Sequence, residues 1–204
     1  TQLECIKKIS EIDLSDRNFS EKSIFAKCFK KYFEGLLTKF QIFDSSSCSL
    51  NKVLVNLLNL QPDQEFYNPF SGTAGLIVAV QNASIEKFQN FKNLFFSQEK
   101  FSDIAALGNL NLIVHGVNQR LEIGDVLSAP QNFIDNDLRR FDHIVCALPI
   151  GARIDDQTIL KKDQFRRFLG HTGGSGNADR FFILHVLKSL SDKGRAIVSI
   201  SPSF

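Results

Sequence analysis

From residue 65 onward, short apolar runs typical of buried strands alternate with longer helix-like stretches. This alternation predicts strand–helix–strand units, in which parallel strands lie side by side and helices cover both faces of the sheet. We expect strands over 65–70, 93–97, 120–124, 142–147 and 195–201, and helices over 73–82, 100–115 and 178–190. The last predicted strand ends almost at the C-terminus, so we expect a sheet that lacks further strands present in a full-length protein.

The first 62 residues have a helical pattern instead. Six bulky apolar residues recur three or four positions apart, with lysines between them: Phe25, Phe29, Phe33, Leu36, Leu37 and Phe40. A polar stretch at 44–47 separates this helix from a second one, which Pro62 ends. We predict a helical segment, 1–62, and an α/β domain, 63–204. Packing of the first helix on its own domain is favoured over packing on a partner subunit.

Charge and residue spacing argue against several classes of protein. The net charge is only +2, so a contact with nucleic acid would need a local basic surface. There is no apolar run long enough to span a membrane and no signal-peptide pattern. The cysteines and histidines are too scattered for a zinc site or a disulfide framework, and none is expected to hold a metal: Cys5, Cys28, Cys48, Cys146, His115, His143, His171 and His185. We expect a cytoplasmic protein, and the start at Thr1 without any methionine favours a processed chain or a fragment.

A candidate cofactor site follows the first three predicted strands. Gly72, Thr73 and Gly75 form a turn that opens a helix, where backbone N–H groups can face a ligand. Glu99 ends the second strand, where a carboxylate can accept ribose hydroxyls, and Asp125 follows the third, beside apolar residues that could enclose a purine ring. Each has a plainer explanation: a strand–turn–helix connection without a ligand, a helix N-terminal acid and a turn aspartate.

Two further segments could contact a substrate. The strand at 142–147 runs into Leu148, Pro149 and Ile150, although a buried strand with a proline at its exit is the simpler interpretation. A basic cluster after it is interleaved with Phe165 and Phe168, and could contact DNA phosphates or form a solvated surface: Lys161, Lys162, Arg166 and Arg167. The glycine-rich stretch 170–176 lacks the Gly-Lys-Ser/Thr ending of a P-loop and is predicted to be a mobile loop.

Taken in order, these segments resemble the S-adenosylmethionine-dependent domain of type I restriction–modification modification subunits, which are N6-adenine DNA methyltransferases. The family turn Asp-Pro-x-Cys-Gly-Thr-Gly-Gly is similar to Asn68-Pro69-Phe70-Ser71-Gly72-Thr73-Ala74-Gly75. The resemblance continues through Ser97-Gln98-Glu99, Asn111 to Gly116, Gly124-Asp125-Val126-Leu127, Asn177 to His185 and Gly194 to Val198. It covers roughly residues 65–204 and implies a Rossmann-like methyltransferase fold.

The resemblance also implies roles for the candidate residues. Asn68, Pro69, Gly72, Thr73, Gly75, Glu99 and Asp125 would bind S-adenosylmethionine, and Ala147, Leu148, Pro149 and Ile150 would occupy the catalytic loop. The implied partners are DNA and the specificity or other modification subunits of a restriction–modification complex.

Departures from the family pattern fall in both motifs. Asn68 replaces the acid of the turn, and Ala74 replaces a glycine with a methyl group that could crowd the cofactor. The catalytic Asn-Pro-Pro-aromatic loop is Ala147-Leu148-Pro149-Ile150, without the side chain that accepts the adenine amino hydrogens or the ring that stacks on the base. We therefore expect weak or absent DNA adenine-N6 methylation. The alternatives are a non-catalytic scaffold that binds DNA or a partner subunit, and a methyltransferase acting on RNA or on protein amides.

Overall fold

The computed structural model describes residues 48–154, 158–169 and 177–200. The first predicted helix and the glycine-rich stretch 170–176 lie outside the described residues. The elements are α1 (Cys48–Leu57), β1 (Glu65–Asn68), α2 (Gly75–Lys87), β2 (Leu94–Glu99), α3 (Ser102–Val114), β3 (Glu122–Ile123), β4 (Phe133–Ile134), β5 (Asp137–Leu138), β6 (Phe141–Ala147), α4 (Thr158–Lys161), α5 (Asp179–Lys188) and β7 (Leu190–Ser199).

The main sheet is parallel, as the sequence predicted. Within the described ranges its strands follow the order β3–β2–β1–β6–β7, and every neighbouring pair is parallel. β4 and β5 form a separate antiparallel hairpin that was not predicted. The order reverses between β1 and β6, so the crevice at the carboxyl ends of these two strands is where a sheet of this type can hold a ligand.

Alternating side chains divide the core between the two faces of the sheet. Phe66 and Val145 lie in one apolar cluster with residues of α1, α2 and α3. Tyr67, Ile144 and Cys146 lie in a second cluster with residues of α5. Because successive strand residues point to opposite faces, runs that are apolar throughout mark strands covered on both sides.

Helix α1 is part of the same compact unit as the sheet. Leu54, Val55 and Leu58 are buried in the cluster that also contains Phe66 of β1. In the described part of the chain no helix is long and apolar enough to cross a membrane.

Candidate ligand crevice at the carboxyl ends of the strands

The turn after β1 is held by its own backbone and by Asn68. The Oδ1 of Asn68 accepts the backbone N–H of Phe70 at 3.1 Å, and the N–H of Ala74 is donated to the carbonyl of Ser71 at 2.9 Å. Gly72 has φ 54° and Ala74 has φ 62°, both in the left-handed region. Gly72 adopts this conformation without cost, whereas for alanine it costs about 1–2 kcal/mol.

The sequence suggested that the methyl group of Ala74 could crowd a cofactor, but this methyl group does not face the crevice. The residue is completely buried and belongs to the apolar cluster around α2 and α3. Its methyl group therefore packs into the core. Pro69 and Thr73 are buried as well, so the ligand-facing groups of this turn are mainly backbone.

Glu99 lies directly beside the turn. Its Oε2 accepts the N–H of Gly72 at 2.9 Å, and its Oε1 accepts the N–H of Phe101 at 3.0 Å. The residue is 8% exposed. A carboxylate has about four acceptor positions, so each oxygen keeps one for a ligand hydroxyl. The structure thus brings together two of the predicted cofactor elements and gives Glu99 a second role, since its carboxylate holds the turn.

The loop after β3 completes this side of the crevice. The Oδ1 of Asp125 accepts the N–H of Leu127 at 2.9 Å, and its Oδ2 lies 2.9 Å from the Nζ of Lys100, which is 60% exposed. Val126 and Leu127 are buried in the core cluster next to β6. Of the apolar residues in this stretch, Ile123 is instead 51% exposed.

Three residues that the sequence did not single out position this side of the crevice. The Nε2 of Gln98 donates to the carbonyls of Gly124 and Ala129 at 2.8 and 3.0 Å, which holds the loop after β3. From α3, the Nδ2 of Asn111 donates to the carbonyl of Thr73 at 2.8 Å. Gly108 lets α3 approach the turn, because a Cβ there would lie 3.1 Å from the Gly72 carbonyl oxygen. Asn111 and Gln98 fall in stretches that resemble the family, whereas Gly108 gave no local signal.

The loop after β6 has an apolar character. Ala147 and Leu148 are buried, and Leu148 packs in the core cluster and donates its N–H to the carbonyl of Ser199 at 2.9 Å. Ile150 is 75% exposed. β6 pairs with β1, so this loop borders the crevice beside the glycine turn. None of the side chains of Ala147, Leu148, Pro149 and Ile150 can accept a hydrogen bond.

The basic cluster separates into two parts. Lys161, Lys162 and Arg166 are exposed, and Arg166 has φ 52°. Arg167 is only 6% exposed, and its guanidinium is 2.8 Å from the carboxylate of Asp163. The prediction that Arg167 contacts phosphate is therefore wrong, because its donors are used inside the protein.

Arg167 is the centre of a buried polar network. Its two terminal nitrogens donate to the carbonyls of Val126 and Leu127, the latter at 2.7 Å, and one of them lies 3.0 Å from the Nδ1 of His185. The Nε2 of His185 is 3.1 Å from the hydroxyl of Tyr67. Burial, together with the charge of Arg167, lowers the pKa of His185 to about 3, so His185 is neutral and its Nδ1 can accept from Arg167. Arg167 therefore fixes the loop that carries Asp125.

A cavity of about 280 Å³ opens between the loop after β3 and the segment 162–167, and is lined by residues including Leu127, Ser128, Pro130, Lys162, Gln164 and Phe165. Among the described residues there is no group of three or more His, Cys, Asp or Glu side chains that could hold a metal ion.

The Cys146 thiol on β6 is buried, and burial raises its pKa to about 12.

The fold is that of S-adenosylmethionine-dependent methyltransferases, as a comparison with solved structures shows. A protein assigned as a class I S-adenosylmethionine-dependent methyltransferase from Listeria monocytogenes superposes with a TM-score of 0.72 at 15% identity, over 99% of this chain and 60% of that one. The methyltransferase subunit of a type I restriction–modification system from Streptococcus thermophilus gives 0.63 at 22% identity, over 75% of this chain and 33% of that one.

A type I modification subunit from Vibrio vulnificus gives a TM-score of 0.63 at 19% identity, over 96% of this chain and 42% of that one. The matched region is about a third of the Streptococcus subunit, and such distant structures establish the fold alone. The family is established by the sequence model described as N-6 DNA Methylase, which matches residues 28–203. The chain belongs to the N-6 DNA Methylase family.

Proposed function

We propose that this protein is a cytoplasmic, methyltransferase-like component of a type I restriction–modification system that binds S-adenosylmethionine. The observation that carries the proposal is the cluster formed by Gly72, Glu99 and Asp125 at the carboxyl ends of neighbouring strands. It lies beside the point where the strand order reverses. The type I context is supported by the family and by the structural likeness to type I subunits.

The residues present fit the ribose and adenine ends of this cofactor. Glu99 has free acceptor positions for two hydroxyls, and Asp125 can accept from an amino group by exchanging its contact with the exposed Lys100. When bound, the cofactor would supply an activated methyl group. The methionine end is less complete, because Asn68 has replaced the acid of the turn and uses its Oδ1 for Phe70.

We propose further that adenine-N6 methylation is weak or absent. The flipped base needs an acceptor for its amino hydrogens and a ring on which to stack. Ala147 and Ile150 provide neither. Loss of one preorganised polar group costs about a hundred- to a thousand-fold in rate, and loss of a stacking ring about 1–3 kcal/mol of binding.

A non-catalytic scaffold is the second candidate. The exposed apolar side chain of Ile150, next to the buried Leu148, favours a scaffold, because the loop would then pack in the core and offer a surface to a partner.

For an enzyme and for a scaffold alike, we propose that Lys161, Lys162 and Arg166 bind DNA phosphates. The logarithm of the DNA association constant falls linearly with the logarithm of the salt concentration. Replacing all three residues with glutamine should make this slope shallower by about 1 for each phosphate that is no longer neutralised.

Calorimetric titration with S-adenosylmethionine and S-adenosylhomocysteine tests the proposal. We expect micromolar binding by the wild type and strong weakening in Glu99→Gln, which keeps the size of the side chain. Glu122→Gln on β3 is the matched control, because Glu122 is exposed. No binding by a folded wild-type protein would refute the cofactor site and leave the scaffold.

A methylation assay then separates a latent enzyme from a scaffold. The variant Ala147→Asn/Leu148→Pro/Ile150→Phe restores the family loop. Transfer of a labelled methyl group to adenine-containing DNA by this variant, but not by the wild type, would show that the rest of the site is competent. Continued inactivity of a variant that still binds the cofactor would favour the scaffold.

A further inference from the structure

The N-terminal end of α5 carries a buried carboxylate with one unpaired oxygen. Asp179 is 3% exposed. Its Oδ2 accepts from the Nδ2 of Asn177 at 2.8 Å, and its own N–H is donated to the Oδ1 of Asn177 at 3.0 Å. Its Oδ1 has no hydrogen-bond partner. Asn177 thus fixes the side chain of Asp179 while one of the two carboxylate oxygens has no donor.

An unused acceptor of this kind calls for an explanation. A buried polar atom without a partner is unfavourable, and a carboxylate more so because it is charged. Among the described residues no ion pair to Asp179 is found. The position of Asp179 in the first turn of a helix is favourable for an acid, but this does not account for a buried oxygen without a donor.

Neighbours of Asp179 on α5 contact the two loops that border the crevice. Immediately before it, the N–H of Ala178 donates to the carbonyl of Ala152 at 2.9 Å, in the segment that follows β6. One turn after it, the ring of Phe182 packs on Phe70 of the glycine turn, with the ring centroids 4.7 Å apart. Residues three apart on a helix share a face. Asp179 is therefore on the face of α5 that packs, through Phe182, on the turn after β1.

We propose that the Oδ1 of Asp179 binds the ammonium group of the amino-acid part of S-adenosylmethionine. This inference rests on the proposed cofactor binding. A carboxylate can only accept hydrogen bonds, and a buried negative charge favours a cationic donor over a neutral amine. The methionine end of the crevice lacks such an acid, because position 68 is asparagine. Asp179 takes over that role from the opposite wall.

The test compares two ligands and two variants by calorimetry. The ligands are S-adenosylhomocysteine and its analogue without the amino group, and the variants are Asp179→Asn and Asp103→Asn. Asp103 is the matched control, because it is an exposed acid in the first turn of α3. We expect Asp179→Asn to bind S-adenosylhomocysteine about ten- to a hundred-fold more weakly, as for loss of a charge-assisted hydrogen bond. Wild type and Asp179→Asn should bind the analogue equally.

Several results would overturn the inference. One is wild-type affinity of Asp179→Asn for S-adenosylhomocysteine, and another is equal weakening for both ligands, which would indicate a structural role. If Asp179→Asn does not fold, Asp179→Ser replaces it, and equal affinity of the wild type for the two ligands would by itself overturn the inference. If Asp179→Asn keeps its affinity for S-adenosylhomocysteine but binds adenine-containing single-stranded DNA more weakly, Asp179 contacts the adenine base instead of the cofactor. A wild type that binds neither ligand would refute the proposed function as well.

Discussion

Replacement of Arg167 by methionine tests whether the buried network holds the loop after β3. Methionine keeps the length and apolar character of the side chain but removes every donor. The carboxylate of Asp163 would be left buried without its cation, and the carbonyls of Val126 and Leu127 would lose their donors. His185 would also lose the group next to its Nδ1.

The size of the effect follows from burial. The side chains of Arg167 and Asp163 are 1% and 4% exposed. Removing one partner of a buried ion pair costs about 3–5 kcal/mol, because the other charge stays buried and uncompensated. A domain of this size is stable by about 5–15 kcal/mol, and 1 kcal/mol corresponds to about 2–4 °C in Tm. We therefore expect a Tm about 6–20 °C lower.

Urea unfolding and thermal melts of Arg167→Met, Arg166→Met and Arg167→Met/Asp163→Asn provide the measurement. Arg166 is exposed, so its replacement should change the free energy of unfolding by less than about 0.5 kcal/mol. The double variant removes the uncompensated carboxylate and should be more stable than Arg167→Met by about 1–2 kcal/mol. The reasoning is refuted if Arg167→Met is as stable as Arg166→Met. It is also refuted if the added Asp163→Asn substitution lowers the free energy of unfolding further instead of raising it.

Three further predictions concern groups that the fold buries. The pKa of His185 is about 3 when folded, against 6.5 as the ordinary value, so only the unfolded chain gains this proton as the pH falls from about 6.5 to 3. Stability should fall across that window by up to about 1.4 kcal/mol per pH unit, and urea melts of His185→Gln should show a flatter dependence. An unchanged dependence would refute this. Gly108→Ala should weaken S-adenosylhomocysteine binding, because the added Cβ would lie 3.1 Å from the Gly72 carbonyl oxygen and 2.9 Å from the Cδ1 of the buried Leu121. This crowding opposes the gain of about 1 kcal/mol that alanine brings to a helix; calorimetry showing wild-type affinity would contradict the prediction. Cys146 should resist alkylation at pH 8 until the protein is unfolded in urea, as mass mapping of the modified peptide would show; rapid labelling of the folded protein would contradict its burial.

The sheet was predictable because its signals are local. Strands covered on both faces are apolar throughout, and a glycine turn between a strand and a helix fixes the direction of the chain. β1, β2 and β6 were therefore predicted to within two or three residues. β7 begins at Leu190, five residues before the predicted start, directly after α5. Phe141 of β6 pairs with Leu190 before the register shifts, which extends the strand toward α5.

The hairpin β4–β5 was missed although it has a local signal. Asp135 and Asn136 connect its strands with φ values of 47° and 66°. Two left-handed residues of this type are typical of a tight hairpin turn. The strands are only two residues long, so the apolar pattern was too short to recognise.

For the site, the sequence predicted that polar residues lie at the ends of neighbouring strands, but not the hydrogen bonds that these residues make. Glu99 ends β2, and Asp125 follows β3 by two residues. The burial of Arg167 was not predictable, because a charge in a lysine- and arginine-rich segment normally faces solvent. Its distant partners lie on α5 and in the loop after β3, and only the folded chain brings them together.

These contacts change which residues distinguish an enzyme from a scaffold. The carboxylate of Glu99 accepts the N–H groups of Gly72 and Phe101, so folding alone would favour its retention in a protein that binds no cofactor. The same holds for Gln98, whose amide ties down the loop after β3. The unpaired Oδ1 of Asp179 is different, because it is costly to the fold and contributes no hydrogen bond to it. A ligand that donates to this oxygen would explain its presence, whereas a scaffold without a ligand would be more stable without the charge. The ammonium-binding experiment on Asp179 therefore separates the two proposed functions more sharply than any substitution at Glu99.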